Sequence, residues 1–336
     1  MTSVAFPQSK VWAHTRTTMA RDGTLDIARG IAIALVVFGH ALDGAQSAGF
    51  ESRVLRFLML SVYAVHVPLF LLVSGILSAR YMAKSTQDFW AELWTRLIWS
   101  YLLWSFILLS VHHAMAAYTN TIPKNYHPVS ILWHAPAVMW FLYVLIFCLI
   151  LLRCLRRAPR VFILGLGLIC LLAPYISADI PQKLRFIGMF LIGAGSGPGV
   201  LDHIRQPLFV LAAAVLMAAS LSHAAVLSAS PIFGYPAQQL TFLPAAFAGP
   251  ILIYTIARRL PPGILHSVLR HLGQHTLAIF VAHILATAGL RIMLTSFGIA
   301  DWWLIISLAT IAGVALPFVA GLVAKRWGIS ALIGWG

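Results

Sequence analysis

The chain has 336 residues, of which 60% are hydrophobic and 10% charged. A soluble domain carries about 25% charged residues, so this composition excludes a water-soluble enzyme, a disordered chain and a nucleic-acid-binding domain. The net charge of +14 at pH 7 points instead to membrane lipids as partners and to the Lys and Arg that membrane proteins keep in cytoplasmic loops.

Hydropathy predicts an all-α fold, a polytopic membrane protein with about ten transmembrane helices. A bilayer crossing takes about 20 apolar residues. Such runs lie near 25–45, 54–77, 97–117, 133–152, 161–177, 184–199, 207–227, 239–257, 274–294 and 302–323. Pro174, Asp179 and Pro181 separate the fifth run from the sixth. Residues 1–24 read as a cytoplasmic tail with no apolar signal-peptide core. Residues 25–323 form a single transmembrane domain and 324–336 a cytoplasmic tail. With the N-terminus inside, only Arg53, Arg56, Lys124, Lys183, Arg185 and Arg291 fall outside, which leaves 17 of the 23 Lys and Arg inside. That split predicts a multi-pass protein of the cell (inner) membrane with both termini cytoplasmic. The Arg153–Arg160 cluster and the Arg258–Arg259 pair are its strongest anchors. Cys148, Cys154 and Cys170 show no metal-ligand spacing and read as free thiols.

The first span contains Asp26, Arg29 and His40. Ionisable groups inside a membrane helix are costly, so a functional role is the starting expectation. Arg29 and His40 are 11 positions apart, three turns, which puts them within about 20° of one face and about 16 Å apart along the axis. Asp26 and Arg29 are i, i+3 neighbours and can pair. The alternative is a headgroup-anchoring Arg and a His bonded to a neighbouring helix. In the second span, His66 and Pro68 interrupt the apolar run, and Pro68 predicts a kink. Ser74-Gly75 allows another backbone to approach closely. Arg96 opens the third span and either binds a phosphate or anchors the helix. Trp140 lies in the fourth span. His275 and His283 share a face of the ninth, without the further ligands that a metal site requires. The segment 193–199, GAGSGPG, reads as a turn or helix end.

Five motifs recur in order along the chain. They are Asp26-Ile27-Ala28-Arg29-Gly30 followed by Val36-Val37-Phe38-Gly39-His40, then His66-Val67-Pro68-Leu69-Phe70 with Ser74-Gly75. Arg96-Leu97 ahead of Tyr101 and Trp104 is the third, Trp140-Phe141-Leu142 the fourth, and Leu272-Gly273, Thr276-Leu277 and His283 the fifth. Together they resemble the integral-membrane acyltransferase family three, and within it the fucose 4-O-acetylase-like branch. Two positions depart from that pattern. Ser100 stands where a proline is common before Tyr101, and Leu93, Trp94 and Thr95 stand where a second basic residue often precedes Arg96.

The resemblance implies transfer of an acyl group, usually acetyl from acetyl-CoA, to a hydroxyl of a cell-envelope or exported glycan such as an exopolysaccharide. His40 is then the general base, with His66 as a second polar contact. Arg29 and Arg96 hold the CoA phosphates or the thioester end, with Asp26 beside them. Ser74, Trp140 and His283 are further candidates. No bound cofactor and no metal are expected, because acetyl-CoA is a substrate. The acceptor is a glycan or lipid-linked oligosaccharide. Two other classes fit the same spans: a transporter or flippase for a glycan or lipid-linked sugar, and a scaffold in a polysaccharide-export complex.

Overall fold

The computed structural model describes residues 23–116, 128–177, 179–230 and 239–335. Most of the N-terminal tail, with Lys10, Arg16 and Arg21, lies outside the described residues, as does Lys124. The first described helix is α1 (Gly23–Ser47). The second span is divided into α2 (Arg53–Tyr63) and α3 (His66–Leu77), followed by a single turn, α4 (Ala79–Met82). The break falls at Ala64-Val65 and not at Pro68. Pro68 is the third residue of α3, where its missing N–H removes no intrahelical bond.

The third span is one helical rod. It consists of α5 (Thr86–Leu93), a π-helical turn (Trp94–Ile98) and α6 (Trp99–Ala114). Arg96 therefore sits inside a π turn rather than at a helix start, an arrangement that often marks functional sites. Two short 3-10 turns, Pro128–Leu132 and Ala137–Met139, lead into α7 (Trp140–Cys154). The fifth and sixth spans are separate helices, α8 (Arg160–Ile176) and α9 (Leu184–Ser196). Gly197, at φ +65°, ends α9. The chain continues through α10 (Val200–Ile204), α11 (Pro207–Leu227), α12 (Leu243–Arg259), α13 (Ile264–Gln274), α14 (Thr276–Ser296) and α15 (Trp302–Arg326).

Among the described residues, eight helical spans are long and apolar enough to cross a bilayer, and α8 and α9 are shorter apolar helices. No strand occurs among them. The fold is that of an all-α polytopic membrane protein. Lipid tails are as apolar as leucine, so membrane helices associate through close packing of small residues. Two seams show this. A Cβ on Gly75 would lie 2.1 Å from the Phe190 carbonyl oxygen, and one on Gly193 would lie 2.3 Å from that of Leu72, so α3 and α9 meet backbone to backbone. Between α1 and α13, a Cβ on Gly30 would lie 2.0 Å from the Leu269 oxygen, and one on Gly273 would lie 1.7 Å from the Asp26 oxygen.

Two further features depart from the sequence reading. Arg153 is buried. It donates to the carbonyls of Met82 and Lys84, each at 3.2 Å, and to Thr86 Oγ1 at 3.0 Å, and it lies over the Phe89 ring. It clamps the loop between α4 and α5. At the other end of the chain, α15 runs on to Arg326 and the segment 329–335 returns to α6. Ser100 Oγ donates to Gly334 O at 2.7 Å, and the indole nitrogens of Trp99 and Trp104 donate to Leu332 O and Ile333 O, both at 2.9 Å. Trp335 stacks on Trp104. Ser100, at the position where the resembling family often has proline, supplies one of these bonds.

Candidate active site

The helices enclose a cavity of about 1250 Å³. Because successive spans alternate in direction, its lining can be assigned to two ends of the bundle. The starts of α1, α8 and α14, the short α4 and the π turn contribute Asp26, Arg29, Arg80, Arg96, Arg160 and Thr276 at one end. The end of α1 and the starts of α7 and α9 contribute Asp43, Trp140, Gln182, Lys183, Arg185 and Phe186 at the other. His40, His66 and Ser74 line the stretch between.

The histidines gather from three helices. His40 projects from α1 as a half-buried residue, and the His283 ring from α14 lies with its centroid 5.2 Å away, tilted by 40°. Tyr63, the last residue of α2, sits edge-on to both His40, at 6.3 Å, and His66, at 4.8 Å. His66 Nδ1 lies 2.8 Å from the Val62 carbonyl. Since a carbonyl only accepts, Nδ1 carries the hydrogen and Nε2 the lone pair. His66, the first residue of α3, thus bonds back to the last turn of α2. His283 follows the same rule. Its Nδ1 lies 2.6 Å from Phe280 O, and its buried Nε2 has no hydrogen-bond partner. The His283 ring that carries this unpartnered nitrogen packs against the His40 ring. His275, which the sequence places on the same face as His283, packs its ring against Phe318 instead.

At the cationic end, Asp26 and Arg29 form the predicted pair at 3.9 Å. Gln274 Nε2 donates to the other Asp26 oxygen at 3.3 Å, and Arg29 Nη2 donates to Thr276 Oγ1 at 2.7 Å. These bonds tie α1 to the junction of α13 and α14. The glycine seam beneath brings the two backbones close enough for short side chains to meet. Arg96 pairs with Glu92 one turn earlier, at 3.1 Å, and Lys84 bridges to the same carboxylate. The half-buried Trp140 packs on Phe186 with ring centroids 5.0 Å apart. Of the residues singled out from sequence, Asp26, Arg29, His40, His66, Ser74, Arg96 and Trp140 all line the cavity, and His283 stands directly behind His40.

The family model of the acyltransferase domain matches residues 22–322, most of the chain. The chain belongs to this acyltransferase family. Over 62 residues the chain is also 40% identical to the nodulation protein NolL of Mesorhizobium japonicum, a stretch of 18% of this chain and 17% of that protein. The aligned region is therefore a small part of either protein. No solved structure matches the chain.

Several cavity residues have no sequence motif that singles them out. Arg80 and Arg160 look like ordinary loop charges. Tyr63 is one aromatic among many in an apolar span. Arg185 counts in the sequence as an outward-facing charge, yet it is 1% exposed. The one available signal for Arg185 is its position next to Leu184 at the start of an apolar run, where a charge has to be either paired or used.

Proposed function

We propose that this membrane acyltransferase moves an acetyl or other short acyl group from acyl-CoA to a hydroxyl of a cell-envelope or exported glycan, such as an exopolysaccharide. The observation that carries the reading is the position of His40. It lies on a continuous cavity between an arginine-rich end suited to a polyanionic donor and an aromatic end suited to a sugar. Residues 25–323 act as one transmembrane unit in the inner membrane, with the arginine-rich end and both termini on the cytoplasmic side, where acyl-CoA is available.

His40 takes the proton of the acceptor hydroxyl as its oxygen attacks the thioester carbonyl carbon. The carbon–sulfur bond then breaks. The departing CoA thiolate receives the proton back from the imidazolium, leaving an ester, CoA thiol and a neutral His40. His283 packs its ring against that of His40 and so limits the orientations open to the base. His66 and Ser74 are polar contacts to the reacting groups. Arg29 and Arg96 bind donor phosphates through charge-assisted bonds, joined by Arg80 and Arg160. Asp26 acts through Arg29, because an acceptor-only carboxylate repels phosphate but aims the guanidinium.

Purified protein is expected to bind acetyl-CoA and to transfer or slowly hydrolyse radiolabelled acetyl. A transporter or flippase does neither, so absence of both activities argues against this reading. Mass spectrometry of glycans from a deletion strain identifies the acceptor. Arg29→Lys keeps the charge and loses the planar pair of bonds to Asp26 and Thr276. It should weaken acetyl-CoA binding about tenfold or more. Arg96→Lys should weaken binding less, because Glu92 still orients the cation. Isothermal titration of both variants checks the order. Reporter fusions at the two ends should both report cytoplasm, and a tag at Lys183 should report the opposite side. A shared side for all three would invalidate the orientation.

A further inference from the structure

We propose that the aromatic end of the cavity contains a seat for an oxyanion, so that the acceptor is an acidic saccharide bearing a carboxylate or phosphate, with Arg185 as its main contact. This rests on the reading above that the acceptor enters from that end. Arg185 is the second residue of α9, lines the cavity and is 1% exposed. Its Nε donates to the Gln182 carbonyl at 3.1 Å, and its guanidinium lies over the Tyr175 ring at 4.5 Å. Both terminal nitrogens, Nη1 and Nη2, are buried with no hydrogen-bond partner. No ion pair among the described residues includes Arg185.

A buried guanidinium with two unmet donors is strongly unfavourable on its own. The two terminal nitrogens form the fork that takes a carboxylate or phosphate bidentately. The neighbours fit such a ligand. Lys183 and Gln182 line the same end, and the Gln182 Oε1 is likewise without a partner. Lys183 is exposed and so adds a cation at the mouth. Trp140 and Phe186, in contact with each other, offer an apolar platform beside these charges. An aromatic wall next to a fork of donors suits an acidic sugar better than a neutral one, whose hydroxyls would leave the positive charge uncompensated. The opposite arginine-rich end is already assigned to the donor phosphates, so this second cationic site is not needed for CoA.

The test uses the full-length protein in detergent with glucuronate, glucose 6-phosphate and glucose as binding probes, and acetyl-CoA binding measured in parallel. At least one acidic sugar should bind about tenfold or more tightly than glucose. Preference for glucuronate identifies a carboxylate acceptor, and preference for glucose 6-phosphate identifies a phosphorylated one. Arg185→Gln should remove the preference, Arg185→Lys should keep part of it, and Lys183→Gln should reduce it a few-fold. Acetyl-CoA affinity should be unchanged in all three. The ligand-free melting temperature of Arg185→Gln should be equal to or above that of the parent, because an unpaired buried charge is removed. Equal binding of all three sugars by the parent overturns the proposal. So does a preference that survives both Arg185→Gln and Lys183→Gln, or a lower melting temperature with preference intact, which would make Arg185 a packing residue on Tyr175. If Arg185→Gln does not accumulate, Arg185→Lys and Lys183→Gln decide the matter. Failure of the parent to bind acetyl-CoA counts against the acyl-CoA reading instead, and leaves the sugar preference measurable.

Discussion

His40→Ala should lower acyl transfer by about a hundredfold to ten-thousandfold, the usual contribution of a general base. The substitution shortens a half-buried side chain facing a cavity, so it leaves no void in a packed core, and membrane insertion and yield should match the parent. Acetyl-CoA binding should also persist, because Arg29 lies about 16 Å away along α1. Retained binding with lost transfer separates a chemical role from a structural one. His283→Ala should produce a smaller loss, since it removes the group that orients His40 and not the base itself. Single-turnover transfer rates for the two variants provide the measurement. Transfer at the parental rate in His40→Ala would remove it as base and move attention to His66, the other imidazole with a lone-pair nitrogen on the cavity.

Gly273→Ala should be among the most damaging small substitutions in the chain. The added methyl would sit 1.7 Å from the Asp26 carbonyl oxygen and 2.6 Å from its carbon. Both are backbone atoms of α1, so neither can swing away as a side-chain tip does. Overpacking of this kind commonly destabilises by about 1–3 kcal/mol. Here the forced separation of α1 from α13 also pulls Gln274 from Asp26 and Thr276 from Arg29. Thermal stability and acetyl-CoA affinity should fall together. Gly289 supplies the contrast. It lies in α14 with nothing near the position of a Cβ, and alanine there should be neutral or slightly stabilising, as it usually is in a helix interior. Melting curves of the two variants in the same detergent test the pair. An unaffected Gly273→Ala would mean that the α1–α13 contact is not as close as the backbone positions require.

The spans were legible because a bilayer imposes one length and one composition on every crossing, and apolar runs report both directly. The gathering of Asp26, Arg29 and His40 on one face was legible for the same local reason. What escaped sequence reading depends on the neighbouring helix. Pro68 signals irregular backbone, but the break lies at Ala64-Val65, between the end of α2 and the start of α3. The charge at 153 looks the same in sequence whether it faces solvent or three acceptors between Met82 and Thr86. Arg185 was counted as an outward-facing cation because the count knows only loop and span, whereas burial of that side chain depends on Tyr175 and the start of α9. The π turn around Arg96 has no composition cue. The docking of 329–335 required knowing that two tryptophans and a serine on α6 would present donors to it.

The shortness of α9 has an electrostatic consequence. Arg185 opens this helix, and Arg160 lies beside Gly197 at its close. Twelve residues of helix hold the two cations about 18 Å apart along the axis. Two anionic reactants seated at those ends would repel by about 1 kcal/mol per charge pair at an effective dielectric constant of about 20, against about 4 kcal/mol at a separation of 4 Å. On the proposed reading, two negatively charged molecules would be joined by their uncharged ends, with their charges kept apart by the length of one short helix.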